Sequence, residues 1–285
     1  MKAKYKIAKI DSLGAYITYL GDVHDADDLL FRGQNDDSPL IPKLGRIKLS
    51  NPTSEKAMFK EFVRQLPSYL QKVPESHWEL LALAQHHGMA TRYLDWTTNP
   101  LAALWFAVEF PYRRKPGRTG QIEFEDVGED YGVVWIMKSR PSQFVKNSDK
   151  DPFRVQTVKI YNPPLIAARI MAQAGFFTVH PPSTAMVFPP LETNDQYAKQ
   201  LTKVVVPAKA FNDIRRSLDR CGFNAATMMV DLDGAASHIT WQNSLLEDEV
   251  EDTIEQTLEK VVKANPQVRI FRDSIVLPLF PKGKK

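Results

Sequence analysis

Thr91-Arg92-Tyr93-Leu94-Asp95-Trp96-Thr97-Thr98-Asn99-Pro100-Leu101-Ala102-Ala103-Leu104-Trp105-Phe106-Ala107-Val108 joins a run of polar and aromatic residues to a segment with no charged side chain. Asn99 has a side chain suited to capping a helix, and Pro100 suits the first helical position. Leu101, Leu104, Trp105 and Val108 then recur at i, i+3, i+4 and i+7, so the spacing predicts a helix that starts at Pro100. Because Ala102, Ala103, Phe106 and Ala107 leave no polar face before Glu109, that helix must be buried nearly all round. Its positive N-terminal end then lies inside the protein, where it attracts phosphate. The plainer alternative is a capped core helix in which Arg92 and Asp95 form a salt bridge.

Upstream, residues 5–10 alternate enough for a first strand and 12–20 suggest a short helix. Leu29-Leu30-Phe31-Arg32-Gly33-Gln34 has the short apolar run of a buried central strand whose last residues emerge at an edge, which would expose Arg32 near a turn. Residues 35–52, rich in Asp, Ser and Pro, predict a loop. Met58, Phe59, Phe62, Val63 and Leu66 make one helical stripe ending before Pro67. Ser76 with Glu79 forms a capping-box pattern for a second helix that Gly88 ends. A short strand is expected around 91–94.

Downstream, residues 113–120 predict a basic surface loop, and Gly132 to Met137 give the strongest strand signal in the chain. A helix is expected over 163–174, carrying Arg169 and Gln173 and ended by Gly175, followed by a strand over 176–179 that leads to His180. Residues 202–206 predict a further buried strand. Phe211, Ile214, Leu218 and Cys221 mark the inner face of a helix closed by Gly222, which puts Cys221 in the core. Asp231-Leu232-Asp233-Gly234 is either a turn with a helix cap or part of a site. Ser244 with Glu247 predicts a cap for an acidic helix reaching about Lys263, and a strand-like tail over 268–279 follows it.

The chain has 285 residues, of which 43% are hydrophobic and 25% charged, a balance typical of a soluble globular protein with a sizeable core. No apolar run approaches the roughly 20 residues needed to span a bilayer. The N-terminal Met-Lys-Ala-Lys-Tyr-Lys lacks the apolar region of a signal peptide, so a cytoplasmic location without membrane association is expected. The single cysteine excludes an internal disulfide and a multi-cysteine zinc site. Adjacent His86 and His87 cannot share one helix face as a metal pair, and no metal is expected; one of them could cover a pocket edge near Thr91. A net charge of +3 permits nucleic-acid binding without arguing for it. There is no Gly-x-Gly-x-x-Gly after a strand, no Walker loop and no Gly-x-Ser-x-Gly elbow.

What remains is a set of polar residues at element ends: Arg32, the segment from Arg92 to Asn99, Gln173 and His180 flanking a glycine turn, and Asp231 with Asp233. If they converge, arginine offers a bidentate clamp for phosphate, and Trp96 or Phe177 a face for a flat ring. That combination suits a nucleotide. A carboxylate beside it could steady an oxocarbenium-like centre or activate a nucleophile.

Phe31-Arg32-Gly33-Gln34, Gln85-His86-His87-Gly88, Thr91-Arg92-x-Leu94-Asp95-Trp96-Thr97-x-Asn99-Pro100 with Ala103 to Ala107, Gln173-Ala174-Gly175-x-Phe177-Thr178 and Asp231-Leu232-Asp233-Gly234 resemble, in this order, the FRG domain family. The resemblance covers roughly residues 12–241. It gives a domain over 1–243, with core motifs over 29–241, followed by an acidic helix and tail over 244–285. More distantly, the aromatic-Arg-Gly strand and the later hydroxyl-bearing strand feeding an Ala-x-x-Phe-Ala helix resemble arginine-serine-glutamate ADP-ribosyltransferases.

That second resemblance implies an α+β fold, an ADP-ribosyltransferase-like mixed β-sheet core flanked by helices, with a C-terminal helix-strand extension. It implies NAD as substrate and cleavage of the nicotinamide-ribose bond, either modifying a protein or nucleic-acid acceptor or releasing ADP-ribose. Arg32 would hold the NAD phosphate or nicotinamide ribose, and Thr97 or Thr98 would stand at the serine position. Where that type carries a late glutamate, this chain has only Asp231 and Asp233, which could substitute with a shorter reach or leave a site that binds without reacting. The expected catalytic set is therefore Arg32, Asp95, Thr97, Asp231 and Asp233. The expected nucleotide-binding set is Arg32, Gly33, Gln34, His87, Arg92, Trp96, Thr97, Thr98, Asn99, Gln173, Phe177 and His180. The alternative is a non-catalytic nucleotide or nucleic-acid recognition module. The genes that such domains often accompany suggest a toxin or phage-defence effector.

Overall fold

The computed structural model describes residues 5–23, 28–51, 53–112, 130–164, 174–183, 187–249, 269–271 and 274–276. It divides into two compact units, residues 1–238 and 239–285. The first unit is built on a seven-stranded mixed sheet: β1 (Lys6–Lys9), β2 (Leu29–Gln34), β3 (Tyr93–Thr97), β4 (Tyr131–Lys138), β5 (Lys159–Tyr161), β6 (Gly175–Val179) and β7 (Leu201–Pro207), in the order β1-β7-β4-β2-β3-β6-β5. Only the β1–β7 pair is parallel. The α+β expectation holds at this level.

Helices α1 (Leu13–Asp22), α2 (Ser54–Gln65), α3 (His77–His86), α4 (Pro100–Val108), α5 (Phe211–Arg220) and α6 (Ala225–Met229) pack against the sheet. Helix α4 follows its sequence pattern: the Asn99 side chain accepts from the Leu101 and Ala102 amides, and all of the helix but Pro100, Leu101 and Phe106 is buried. It lies on one face of the sheet with Phe31, Val134, Ile136, Val204 and Val206, backed by Phe211, Ile214 and Leu218 of α5. The approach is close enough that a Cβ on Gly33 would run into the Ala103 carbonyl, and one on Gly132 would sit 2.6 Å from the Ala107 oxygen. Here the glycines let backbone pack on backbone. On the same face, towards the sheet end formed by β3, β5 and β6, Tyr93, Phe177 and Val179 pack with Phe59, Trp78 and Leu81 of α2 and α3. The opposite face, with Leu30, Leu94, Trp96, Val133, Trp135 and Val205, is covered by Leu40, Leu191 and Tyr197 from irregular segments.

Ser76 caps α3 by accepting from the Trp78 amide, and Gly88 ends it at φ +84°. Several expectations shift. The strand around 91–94 begins at Tyr93 and continues through Thr97, since Thr91 turns its hydroxyl into the Tyr93 amide before pairing starts. Arg32 sits within the middle strand of the sheet, not at an exposed turn. Cys221 is exposed rather than core, because α5 ends at Arg220 and Cys221 is already its cap. Asp231-Leu232-Asp233-Gly234 opens α7 (Leu232–Gln242), where Asp231 Oδ1 accepts from the Gly234 amide at 2.7 Å.

In the second unit the Ser244 hydroxyl donates to the Thr240 carbonyl at 2.8 Å and so closes α7. The cap expected of Ser244 is supplied by Glu249, whose Oε2 accepts from the Leu246 amide at 3.0 Å. Two short strands, β8 (Arg269–Phe271) and β9 (Ser274–Val276), pair antiparallel within the expected tail. The expected 113–120 loop, Arg169, Gln173 and most of the helices expected over 163–174 and from 244 to 263 lie outside the described residues.

Candidate functional site

Strands β2 and β3 meet at one register pair, Phe31 with Thr97, and then part. A ladder continued beyond that pair would set Gly33 against Asp95; a cleft of about 400 Å³ opens there instead. Its walls come from β2 (Phe31, Arg32, Gly33), β3 (Asp95, Trp96, Thr97), the start of β6 (Gly175, Phe176, Phe177), the end of α3 (Gln85, His86, Gly88) and Phe106 of α4.

Arg32 spans the gap. Its Nη1 donates to the Asp95 carbonyl at 2.9 Å and stands 3.7 Å from Asp95 Oδ2, while Nε donates to Gln34 Oε1 at 3.1 Å. Gln34 is itself held by donating to the Ser38 carbonyl at 2.7 Å. Burial lowers the Arg32 pKa to about 10, with the Asp95 charge acting the other way, so the side chain remains a cation at neutral pH. The Asp95 side chain is 57% exposed and accepts from Gln85 Nε2 at 3.0 Å. A cation and a carboxylate thus face one opening lined by four phenylalanines and an indole.

The expected residues divide between this opening and elsewhere. Arg32, Gly33, Asp95, Trp96, Thr97 and Phe177 line it. Gln34 stands behind Arg32. Thr97 Oγ1 accepts from the Asn99 amide at 2.9 Å, and Trp96 Nε1 donates to Thr178 Oγ1 at 2.9 Å.

Arg92 does not reach the cleft. Its Nε donates to Glu55 Oε1 at 2.7 Å and its Nη2 to the other oxygen, both side chains are buried, and the guanidinium covers the Phe153 ring at 5.0 Å. This interior pair, not an Arg92–Asp95 bridge, neutralises Arg92. Nor do the α4 amides form a phosphate site: Pro100 has no N–H, and Asn99 Oδ1 occupies the next two amides. Thr98 is exposed and donates its backbone N–H to the Ala174 carbonyl at 3.3 Å.

His87 caps α3 and is exposed; His86 lines the cleft in its place. His180 is buried beside Thr178, whose Oγ1 lies 2.8 Å from its Nε2. Burial and then the Arg32 charge hold His180 at about 3, so it stays neutral. Asp231 and Asp233 stand at the exposed start of α7, outside the cleft lining. Of the other lining residues, Phe31, Gln85, His86, Gly88, Phe106 and Gly175 lie in the motifs that carry the resemblances, whereas Phe176 reads as an ordinary core residue; only register and packing bring them all to the opening.

Residues 27–115 match the FRG domain. The match takes in β2 to α4 and so most of the cleft, including Arg32, Gln85, Asp95 and Phe106, and stops before the Gly175 and Asp231 motifs. Neither curated proteins nor solved structures gave a match. Among the described residues no cluster of three or more His, Cys, Asp or Glu side chains could hold a metal ion, and no helix is long and apolar enough to cross a membrane.

Proposed function

We propose that the cleft between β2 and β3 binds NAD and that the chain cleaves its nicotinamide-ribose bond, passing ADP-ribose to water or to a protein or nucleic-acid acceptor. The observation that carries this reading is the open Asp95 carboxylate beside the Arg32 cation within an aromatic enclosure. Arg32 pairs with a phosphate oxygen, and the phenylalanine rings take the flat nicotinamide. As the C1–N bond breaks, nicotinamide leaves with the electron pair and positive charge grows on the ribose. Asp95 steadies that charge, and the oxygen of the acceptor bonds to C1 while its proton passes to solvent. Only one carboxylate, Asp95, serves the chemistry in this scheme, so the roles expected of Asp231 and Asp233 are dropped.

That single carboxylate also favours a second reading, a recognition module that holds the nucleotide without reacting. Melting with and without millimolar NAD, in the native chain and in Arg32→Ala, tests binding: a bound ligand raises the transition by mass action. Nicotinamide release that is lost in Asp95→Asn supports the enzyme, and binding without release supports the module. A melting curve of the native chain that NAD leaves unchanged would sink both.

A further inference from the structure

Gln85, at the last turn of α3, joins the core to the cleft through hydrogen bonds whose directions are set. The Tyr93 backbone N–H donates to Thr91 Oγ1 at 3.1 Å, the Thr91 hydroxyl donates to Gln85 Oε1 at 2.6 Å, and Gln85 Nε2 donates to Asp95 Oδ2 at 3.0 Å. A carboxylate can only accept, so Gln85 turns its NH2 group to Asp95 and its oxygen to the Thr91 hydroxyl, which donates to it while accepting from the Tyr93 amide. A carboxamide whose oxygen accepts at one end must present its NH2 group at the other. Thr91 is fully buried, which anchors this orientation in the interior. Gln85 engages Oδ2, and among the described residues no protein donor reaches Oδ1.

We infer that Gln85 is a positioning residue that fixes Asp95 as the hydrogen-bond acceptor of the cleft, so that the ligand group received there is a donor, such as the hydroxyls of a ribose, and not a phosphate. The anionic part of the ligand then falls to Arg32, on the β2 side of the same opening. The inference rests on the reading of Asp95 as the working carboxylate of the cleft. Chemistry alone separates Gln85 from a space-filling residue: Gln85→Glu keeps the shape and replaces the donor by a second carboxylate facing Asp95.

Two measurements on the full chain test this. In 15N–1H spectra without ligand, the Gln85 side-chain NH2 signals should move in Asp95→Ala, because their acceptor is gone. In melting experiments with millimolar NAD, Gln85→Glu should lose at least half of the NAD-induced rise. The double variant Gln85→Glu/Asp95→Asn, which reverses donor and acceptor, should regain most of it without regaining nicotinamide release. Gln85 signals indifferent to Asp95→Ala, or a full NAD response in Gln85→Glu, would overturn the inference. If NAD moves no melting curve even in the native chain, the NAD reading falls by itself, and the Gln85 signals still decide the role of Gln85.

Discussion

Arg32 donates to the backbone carbonyl of Asp95 across the gap where β2 and β3 stop pairing, so one side chain both replaces a missing ladder bond and supplies the cation of the cleft. Its two donations leave from Nε and Nη1 in fixed fork geometry, which an ammonium cannot reproduce. Arg32→Lys should therefore cost about 1–3 kcal/mol of stability despite keeping the charge. Urea unfolding measures this, and a change below the error of the fit would show that the bridge is incidental.

The Arg92–Glu55 pair gives an opposite expectation. Removing one partner strands a buried charge, so Glu55→Ala should lose about 3–5 kcal/mol, whereas replacing both by apolar residues of similar size should lose much less. A double-variant comparison by chemical denaturation distinguishes this from simple loss of volume. Since neither Arg92 nor Glu55 lines the cleft, the double variant should keep any NAD-induced rise in melting temperature.

Acid should weaken the fold through His180. Its pKa in the folded chain, about 3, lies below the ordinary value of 6.5, so between these values the unfolded chain binds a proton that the folded chain refuses. Stability from this group is fully present above about pH 6.5 and falls as the pH drops towards 3. Between pH 7 and 4.5 the loss amounts to roughly 2–3 kcal/mol. His180→Gln should flatten that part of the stability profile; an unchanged slope would mean that other groups cause it.

Gly33 is required for packing. Gly33→Ala places a methyl group into the Ala103 backbone, which cannot rotate away, so α4 must lift from the sheet. The expected cost is about 3 kcal/mol or more, beyond the usual range for an overpacked core. Thermal unfolding would show it, and a change under about 1 kcal/mol would mean that the helix adjusts freely.

Asp231→Ala should behave as the loss of a helix cap, about 1 kcal/mol, with nicotinamide release intact. Asp233→Ala should do less. A release assay in which either variant is inactive would return the late aspartates to the catalytic set.

The elements that could be read from residue order are those whose signals are local. Asn99 and Pro100 start α4, Ser76 and Gly88 bound α3, and the Leu29–Gln34 and Gly132–Met137 runs locate the two strands that meet at the centre of the sheet. The partners of charged groups were not legible, because they join residues far apart in the chain. Arg92 finds Glu55, and Lys203, inside an apolar strand and 1% exposed, finds Asp37 at 2.6 Å. Nothing near either residue in sequence announces that partner.

By itself the order of residues determined that a wholly apolar helix must follow a capped turn and pack on a strand carrying Arg-Gly, since capping and periodicity act over a few residues. Only the tertiary structure decided that Arg32 and Asp95 share an opening while Arg92, the α4 amides, Asp231 and Asp233 do not. Which strands pair, and where two of them cease to pair, depends on how the whole sheet packs on its two faces, and that long-range balance selects which polar groups are satisfied within the fold and which face the opening.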